Sequence, residues 1–435
     1  MLTTTLRSLG LAVFATIAAA SSVAAQAPAA PPAPKIFVIR AARMLDVAKG
    51  QIVSPAVVTI EGDHIRSMGQ TSDTGARVID LGDVTLLPGL MDVHVHLTDD
   101  LSGDWVMRPV RETAADEALR GAANANKTLL AGFTTVRNVG AGGFADVSLM
   151  KAIDAGLIQG PRIIPAGHAI GITGGHCDAT GWAPGVLELG PKEGVADGVD
   201  QVVAAARYQI KHGAKVIKVC ATAGVFSYDA TLGAQQLSDA ELRAVVEEAS
   251  RHGLKVAAHA HGTDGIKAAI RAGVASIEHG SMLDDESIRL MKEKGTYLVP
   301  TAYLLTQFKF EGIPAPIAAK AREAIPLAQE SHRKAIAAGV KIAFGTDAAI
   351  YPHGDNAREF AVYVGYGMKP IDAIRTATVN AADLLGVIDR GVIARGKLAD
   401  LIAVPGNPLQ DVKMLEKVVW VMKGGVVYKG VNGER

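Results

Sequence analysis

Short runs of β-branched residues alternate with amphipathic helical stretches between residues 91 and 391, and this alternation restricts the fold more than any other feature. Alternation of this kind predicts βα units around a parallel sheet. One helix is expected over Asp239–Ala249, because Ser238 can cap it and acidic residues follow in its first turn. The eight strand candidates are Met91–His96, Phe133–Val136, Arg162–Ala166, Lys215–Cys220, Lys255–Ala260, Ala275–His279, Tyr297–Thr301 and Lys341–Asp347.

Eight such units fit a closed (β/α)8 barrel, a fold of about 250 residues before insertions. An open doubly wound sheet is the alternative, but no glycine-rich phosphate loop follows the first strand. Both ends of the globular part contain β-branched runs separated by turns such as Glu61-Gly62-Asp63 and Lys423-Gly424-Gly425. We therefore predict an α/β fold, a (β/α)8 TIM barrel (91–391) with a small β-sandwich domain built from both chain ends (36–90 and 392–435).

The first 25 residues have the pattern of a cleaved export signal. Arg7 precedes an apolar stretch from Leu9 to about Ala20, and the small residues Val23-Ala24-Ala25 precede Gln26. The apolar stretch is shorter than the ~20 residues that span a bilayer, so we expect cleavage rather than anchoring. Residues 26–35 are rich in proline and alanine and predict an extended tether. The mature protein is expected to be periplasmic or secreted.

Charge and cysteine content exclude several classes of protein. Lysine plus arginine and aspartate plus glutamate both number 44, and no long basic run is present. Nucleic acid is therefore an unexpected partner, and we expect no stable membrane insertion. The two cysteines, Cys177 and Cys220, are too few for a disulfide framework. We interpret them as small buried residues near the functional site, with a bond between them as the open alternative.

Polar residues recur at the carboxyl ends of the predicted strands, where barrel enzymes place their reactive groups. In the tripeptide His94-Val95-His96, the two imidazoles project from one face of a strand and can bind one metal ion. A single histidine in such a place is often an ordinary core residue, but five occupied strand ends are difficult to explain in that way. The residues concerned are His94, His96, Lys218, His259, His261, His279 and Asp347.

Lys218 interrupts a strand that a barrel buries on both faces. A buried ammonium must be paired, and a salt bridge to Asp347 or another acid is the simple explanation. If the neighbouring histidines hold metal, that explanation fails, because two unit charges ~4 Å apart interact by about 4 kcal/mol at an effective dielectric near 20. Repulsion by a dication would be about twice as large. The lysine must then lose its charge or change its chemistry.

Seven motifs together resemble the amidohydrolase superfamily, and within it the imidazolonepropionase and Xaa-Pro dipeptidase-like branch. The resemblance covers the chain from about Ile36 to Tyr428. The motifs are Pro88-Gly89-Leu90-Met91-Asp92-Val93-His94-Val95-His96, Thr134-Thr135-Val136-Arg137, Thr173-Gly174-Gly175-His176, Lys215-Val216-Ile217-Lys218, Ala258-His259-Ala260-His261-Gly262, Ile277-Glu278-His279-Gly280 and Gly345-Thr346-Asp347.

The resemblance implies two Zn²⁺ ions, bridged by a carboxylated Lys218 and a hydroxide. One zinc would be held by His94, His96 and Asp347, and the other by His259 and His279. Because His259 and His261 share a strand face, either could reach metal. The family pattern favours His259 and leaves His261 behind the ligands or facing the substrate. The two zinc ions would carry four positive charges, and the carbamate, Asp347 and the hydroxide together would carry three negative charges. The site would keep a modest positive charge, which suits an anionic transition state.

The resemblance also implies hydrolysis of the amide bond of dipeptides or N-acyl amino acids with a free carboxylate, and related enzymes cleave ochratoxin A. Asp347 would take a proton from the attacking hydroxide and deliver it to the leaving amine. Arg137 is expected to brace the barrel. Asn138 stands where related chains often carry an aspartate, so the sequence does not decide which group the Asn138 side chain contacts. The candidate substrate contacts are His168, His176, Tyr228, His261, Tyr303 and His353.

Three other functions are compatible with parts of this pattern. A lactonase or a cyclic-amide hydrolase would use the same scaffold, whereas deaminases of the superfamily usually lack the bridging lysine, so Lys218 argues against them. A non-catalytic periplasmic metal-binding protein would need neither Asp347 nor a lysine in a buried strand. Barrels of this type commonly form homo-oligomers, and we expect one here with a small-molecule substrate.

Overall fold

The predicted alternation of strands and helices is present in the computed structural model of the chain, which describes residues 36–69, 75–229 and 231–430. The predicted signal peptide (1–25) and tether (26–35) lie outside these residues. The described residues belong to one compact unit, and the predicted domain boundaries within it stay predictions. Within the described ranges, no helix has both the length and the apolar character needed to cross a bilayer.

The strands are β1 Ile36–Ala41, β2 Arg43–Asp46, β3 Gln51–Val53, β4 Ala56–Glu61, β5 His64–Met68, β6 Arg77–Asp80, β7 Val84–Pro88, β8 Leu90–Val95, β9 Phe133–Asn138, β10 Arg162–Pro165, β11 Ile217–Cys220, β12 Val256–Ala260, β13 Ser276–His279, β14 Tyr297–Val299, β15 Leu401–Pro405, β16 Trp420–Lys423 and β17 Val426–Lys429. The α-helices are α1 Arg108–Arg111, α2 Ala114–Leu130, α3 Ala145–Asp154, α4 Val199–His212, α5 Asp239–Arg251, α6 Thr263–Ala272, α7 Asp285–Lys294, α8 Leu304–Gln307, α9 Ala315–Ala337, α10 Glu359–Gly365, α11 Pro370–Thr376 and α12 Val379–Leu385.

Strands from both ends of the chain share one sheet, as the sequence predicts. Its order is β17-β16-β15-β7-β2-β3, and β15 pairs antiparallel with both β7 and β16. A second sheet, β5-β4-β1-β6, is built from the amino-terminal strands alone. Apolar side chains of the two sheets pack into one buried cluster that includes Ile39, Val58, Leu86, Leu401 and Trp420.

The predicted βα region contains two parallel sheets, β10-β9-β8 and β11-β12-β13-β14. Seven of the eight predicted strands are present in them. In the second sheet, Cys220 pairs with His259 and Ala260 pairs with His279, so the histidines lie at one edge. Single parallel bridges, Ile170 to Val219 on one side and Leu298 to Ile342 on the other, extend beyond this sheet.

The eighth predicted strand, Lys341–Asp347, is wrong as a strand. This segment makes only isolated bridges, at Ile342 and Ala348. Its backbone bonds are divided among different partners, because the Phe344 amide donates to Thr376 O at the end of α11 while the Asp347 amide donates to His94 O on β8. The two parallel sheets are therefore linked through an irregular segment and do not form one continuous ladder.

Helix α5 illustrates how local sequence sets an element. Ser238 caps it, the Ser238 hydroxyl accepting from the Glu241 amide at 3.3 Å and the Glu241 carboxylate accepting from the Ser238 amide at 2.8 Å. This reciprocal pair satisfies two amides that would otherwise lack partners. The predicted cap and helix start are confirmed, and the helix ends at Arg251, two residues beyond the predicted end.

Cys177 and Cys220 are joined by a disulfide, with their Cα atoms 5.9 Å apart. The alternative that the sequence left open, a bond between them, is therefore correct, and Cys220 is buried as expected whereas Cys177 is half-buried. The spacing in sequence could not decide this, because 43 residues separate the two cysteines and their proximity depends on the tertiary fold. The bond ties the end of β11 to the long connection between β10 and α4.

Removing this disulfide should destabilise the protein by about 2–4 kcal/mol, because the bond restricts the unfolded chain. We expect the Cys177→Ala/Cys220→Ala variant to unfold at lower denaturant than the oxidised wild-type protein. Adding dithiothreitol should shift the wild-type transition toward that of the variant and leave the variant unchanged. Equal transitions for oxidised and reduced wild type would contradict the assignment.

Candidate metal centre

The residues predicted to bind metal lie together at the carboxyl ends of the parallel strands. They are His94 on β8, His96 just after it, Lys218 on β11, His259 on β12, His279 on β13 and Asp347 in the irregular segment. Ligand atoms of His94, His279 and Asp347 all lie within 4.8 Å of one another, as do those of His259, His261 and His279. Because His279 belongs to both groups, the donors form one continuous cluster.

The hydrogen bonds of His94 and His96 use Nδ1 of each ring, so that in a neutral ring Nε2 is the nitrogen without a proton. His94 Nδ1 donates to the Glu278 carboxylate at 2.7 Å, and His96 Nδ1 donates to Gly140 O at 3.3 Å. Each neutral ring then presents an Nε2 lone pair. These two Nε2 atoms lie 3.4 and 3.5 Å from Asp347 Oδ1. Lone pairs facing a carboxylate without an intervening proton fit a bound cation.

The remaining imidazoles of the cluster fit the same interpretation. The Thr301 hydroxyl donates to Pro300 O at 2.7 Å, so its oxygen is free to accept from His279 Nδ1 at 2.8 Å. His261 Nδ1 lies 2.7 Å from the Ser281 hydroxyl. His259 Nε2 is buried and has no hydrogen-bond partner within the described part of the chain. A buried unpartnered nitrogen is costly unless a ligand such as a metal ion satisfies it.

Burial suppresses the positive charge of these rings. It lowers the pKa of His96 to about 4 and of His261 to about 3, and it moves the pKa values of His259 and His279 well below the usual range. Neutral imidazole is the form that binds metal. The geometry places His261 in the donor cluster beside His259, so both histidines stay available as the ligand from β12.

Asp347 and Lys218 are the two members of the cluster that are not histidines. Burial alone would raise the pKa of Asp347. The neighbouring His94 and His96 lower this pKa by more than burial raises it, so the carboxylate stays ionised. Burial lowers the pKa of Lys218 to about 8. Among the described residues, no hydrogen bond or ion pair of the Lys218 ammonium is present, in contrast to the salt bridge considered from the sequence.

Glu278 organises the cluster from behind, and sequence reasoning assigned it no role. Its fully buried carboxylate accepts from Arg137 Nη2 at 2.7 Å, from His94 Nδ1 at 2.7 Å and from the Ser276 hydroxyl at 2.5 Å. Burial would raise the pKa of Glu278, but Arg137 and His94 prevail and hold it at about 2. Arg137 also donates to Val93 O, so it braces three strands as predicted.

Asp92 holds the segment that carries Asp347. Its carboxylate accepts from the Thr346 hydroxyl at 2.6 Å and from Asn356 Nδ2 at 2.8 Å, and burial raises its pKa to about 6. Gly345 allows the close approach, because a Cβ there would overlap the Val299 side chain. Asp347 itself has a φ of 57°, a strained backbone conformation that often occurs at functional sites.

Asn138 is satisfied where related chains often carry aspartate. Its side-chain oxygen accepts from the Leu97 amide at 2.7 Å, and its Nδ2 donates to Gly140 O at 3.0 Å. Gly140 O is also the acceptor for His96 Nδ1. The asparagine therefore supports the loop that orients His96, which answers the question that the sequence left open.

A cavity of about 360 Å³ opens from the metal cluster, and a wider outer cavity of about 590 Å³ adjoins it. Of the predicted substrate contacts, His176 and His261 line the inner cavity, whereas His168 and Tyr228 line the outer one. Tyr303 and His353 line neither. The Tyr303 hydroxyl accepts from Arg358 at 3.0 Å, and His353 Nε2 donates to Asp99 O at 3.1 Å.

His168 and His176 differ in what their rings can offer. Both ring nitrogens of His168 are used by the protein, since Nε2 accepts from the Gly143 amide and Nδ1 lies 3.2 Å from the Gln209 side-chain oxygen. His176 stacks on His259 with ring centroids 4.0 Å apart, and only its Nδ1 has a described partner, the Ser227 hydroxyl at 2.8 Å. His176 is therefore the better placed of the two to meet a substrate.

Replacing Glu278 by glutamine should weaken metal binding about 10- to 100-fold, because the group that orients the His94 ring would lose its charge. Competition with a chromogenic chelator measures this affinity. The matched control is Glu323→Gln, a substitution at an exposed glutamate of α9. Unchanged zinc affinity in a folded Glu278→Gln protein would show that this carboxylate does not orient a ligand.

Comparison with known proteins agrees with this geometry. Residues 85–431 match the amidohydrolase family. An ochratoxinase of Aspergillus niger is 36% identical over 426 residues, which cover 91% of this chain and 87% of that protein. The crystal structure of A. niger ochratoxinase has a TM-score of 0.80 at 33% identity, covering 92% of this chain and 96% of that chain.

Two further relatives represent the branch expected from the sequence. A crystal structure of a Xaa-Pro dipeptidase with methionine bound in its active site has a TM-score of 0.87 at 40% identity, covering 91% of this chain and 100% of that chain. An imidazolonepropionase of Deinococcus deserti is 28% identical over 179 residues, which cover 39% of this chain and 40% of that protein. The resemblance is thereby confirmed: the chain belongs to the amidohydrolase family and is an enzyme that hydrolyses amide bonds.

Proposed function

We propose that this protein is an exported binuclear zinc amidohydrolase. Its substrates would be dipeptides or N-acyl amino acids with a free carboxylate, and ochratoxin A is a candidate among them. The observation that carries the proposal is the geometry of His94 Nε2 and His96 Nε2, which both face Asp347 Oδ1 while Nδ1 of each ring is hydrogen-bonded to the protein. The ochratoxinase and dipeptidase relatives support the substrate class.

In this proposal His94, His96 and Asp347 hold one zinc, and His259 and His279 hold the other. Lys218 would supply a further ligand after carboxylation, in which its Nζ bonds to the carbon of CO2 and releases a proton. Burial lowers the pKa of Lys218 to about 8, which increases the fraction of the neutral amine that this reaction requires. Burial outweighs the charges of Glu278 and Asp347, which by themselves would raise the pKa of Lys218.

The bound ions would lower the pKa of a water molecule and polarise the carbonyl oxygen of the scissile amide. Asp347 takes the proton of the attacking water and then donates it to the leaving amine. Its backbone amide and that of Thr346 both donate to His94 O, at 2.8 and 3.2 Å, which hold the carboxylate beside His94. Glu278 and Arg137 keep the His94 ring in place during this transfer.

The finer points of the predicted fold belong to the same proposal. We propose that β8 to β14 and the 341–348 segment close a (β/α)8 barrel. Two backbone hydrogen bonds between the parallel sheets and their neighbours support this closure. The Val93 amide of β8 donates to Phe344 O in the 341–348 segment, and the Lys215 amide, just before β11, donates to Pro165 O of β10. The apolar cluster shared by the two remaining sheets supports a small β-sandwich. We also expect the protein to form a homo-oligomer, to which we assign no number of subunits.

Replacing Asp347 by asparagine should leave much of the metal bound and reduce kcat by about 10²- to 10⁴-fold, because an amide cannot accept the proton. The test is hydrolysis of a dipeptide library and ochratoxin A by zinc-loaded protein with bicarbonate, with the liberated amino acids quantified. Asp372→Asn, at a half-exposed position on α11, is the control. Near-normal kcat in Asp347→Asn would place the general base elsewhere.

The same screen separates the proposal from its alternatives. Hydrolysis of lactones or esters without any amide turnover would favour a lactonase. A metal-loaded protein inert toward every amide and ester would favour a non-catalytic metal-binding role.

Export predicts that mature protein begins at Gln26. We expect expression of the full chain in a bacterium to yield periplasmic protein whose amino terminus, read by mass spectrometry, follows Ala25. The disulfide supports this location, since such bonds persist in oxidising compartments. Protein that retains Met1–Ala25 and stays with the cytosolic fraction would contradict export.

A further inference from the structure

The inner cavity is lined by two chemically different groups of residues. One group is the metal donors, and the other is apolar and includes Trp105, Phe226 and Phe308. These three residues come from separate parts of the chain: the segment before α1, the loop after β11 and the connection between α8 and α9. Their rings contact in series, with centroids 6.1 Å apart for Trp105 and Phe226 and 5.7 Å apart for Phe226 and Phe308. We call these three residues the aromatic wall.

Helix α9 lines the cavity with small side chains. Ala321, Ala324 and Ala328 lie on one face of the helix at helical spacing and are buried, and all three border the cavity. An alanine at such a position leaves a volume that a larger side chain would fill. The space beside the aromatic wall is therefore set by these alanines, which we call the alanine face.

The aromatic wall and the alanine face are held together by Lys320 of α9. Its ammonium donates to Gly224 O at 3.2 Å and to Ser227 O at 3.1 Å, and it pairs with the Asp229 carboxylate. These acceptors flank Phe226 in the loop after β11. The cavity is thus preorganised, which reduces the entropy cost of binding a rigid group.

Charged side chains are scarce along this cavity. Among the described residues that line it, leaving the histidines aside, they are limited to Asp99, Lys218 and Asp347. Asp99 is already paired with Arg108 at 3.2 Å, and the other two belong to the metal cluster. A charged substrate group entering between the aromatic wall and the alanine face would lose its water without gaining a partner.

We infer that the space between the aromatic wall and the alanine face is a specificity subsite that selects a large apolar group, with aromatic groups preferred, on the amide substrate. This inference rests on the proposed function and deepens it. Edge and face contacts with Trp105, Phe226 and Phe308 favour an aromatic ring over an aliphatic group of similar size. The same subsite rejects lysine-like and aspartate-like side chains.

Steady-state hydrolysis of matched dipeptides by the zinc-loaded wild-type protein tests the inference. Alanyl-alanine, phenylalanyl-alanine and lysyl-alanine vary one side of the amide, and alanyl-phenylalanine and alanyl-lysine vary the other. At one of the two positions we expect kcat/KM for phenylalanine to exceed that for alanine by at least about 10-fold, with lysine below alanine. Amide hydrolysis without this order at either position would overturn the subsite.

Variants of α9 locate the selection. Ala324→Leu should lower kcat/KM for the phenylalanine substrate at least about 10-fold and that for alanyl-alanine less than about 3-fold, because leucine fills the subsite. Ala319→Leu, at an exposed alanine of the same helix, should change neither. Equal losses on both substrates, in a variant with wild-type metal content and thermal stability, would contradict the inference.

Two further measurements cover other outcomes. If Ala324→Leu does not fold, Phe308→Ala removes part of the aromatic wall instead and should reduce the preference for phenylalanine over alanine at least about 5-fold. Calorimetric binding of free phenylalanine, alanine and lysine to zinc-loaded protein gives a readout independent of turnover. Selective phenylalanine binding without hydrolysis of any amide would refute the proposed function and leave the subsite supported. Equal binding of the three amino acids would overturn the subsite.

Discussion

The buried carboxylate of Glu278 is the contact on which the site depends. It joins Arg137 of β9 to His94 of β8, and through them it fixes the strands that carry metal donors. A buried ion pair of this kind is stable only with complete hydrogen bonding, which Ser276 and Arg137 provide. Because Nδ1 of His94 is committed to Glu278, Nε2 is the nitrogen of this ring that faces Asp347 and the donor cluster. The network therefore orients the ring that would bind the first metal ion of the proposed centre.

The sequence predicted the positions of the donors because two simple periodicities determine them. Alternation along a strand puts residues such as His94 and His96 on one face, and parallel pairing brings His259 and His279 to one edge. The predicted location of Lys218 in a buried strand is also confirmed. These features depend on local pattern and strand order, which the chain encodes over short distances.

Other features depend on contacts between distant residues, which a single sequence does not display. The partner of His94 is Glu278, which lies 184 positions away in the sequence. The sequence shows Glu278 only as the residue before His279, with no sign of its contact with His94. The cysteines gave no indication that they would be brought within bonding distance. The segment before Asp347 has strand-like composition, yet its amides bond in turn to β14, the end of α11 and β8, so only isolated bridges form. The aromatic wall comes from three loops whose meeting no periodicity predicts.

The central claim is that the donor cluster holds two metal ions joined through a modified lysine. Anomalous diffraction at the zinc edge, from crystals of active protein grown with bicarbonate, measures this directly. The account predicts two anomalous peaks, one beside His94, His96 and Asp347 and one beside His259 and His279, with density for a carboxylated Lys218 between them. A single peak, with an unmodified Lys218 remote from it, would contradict the account.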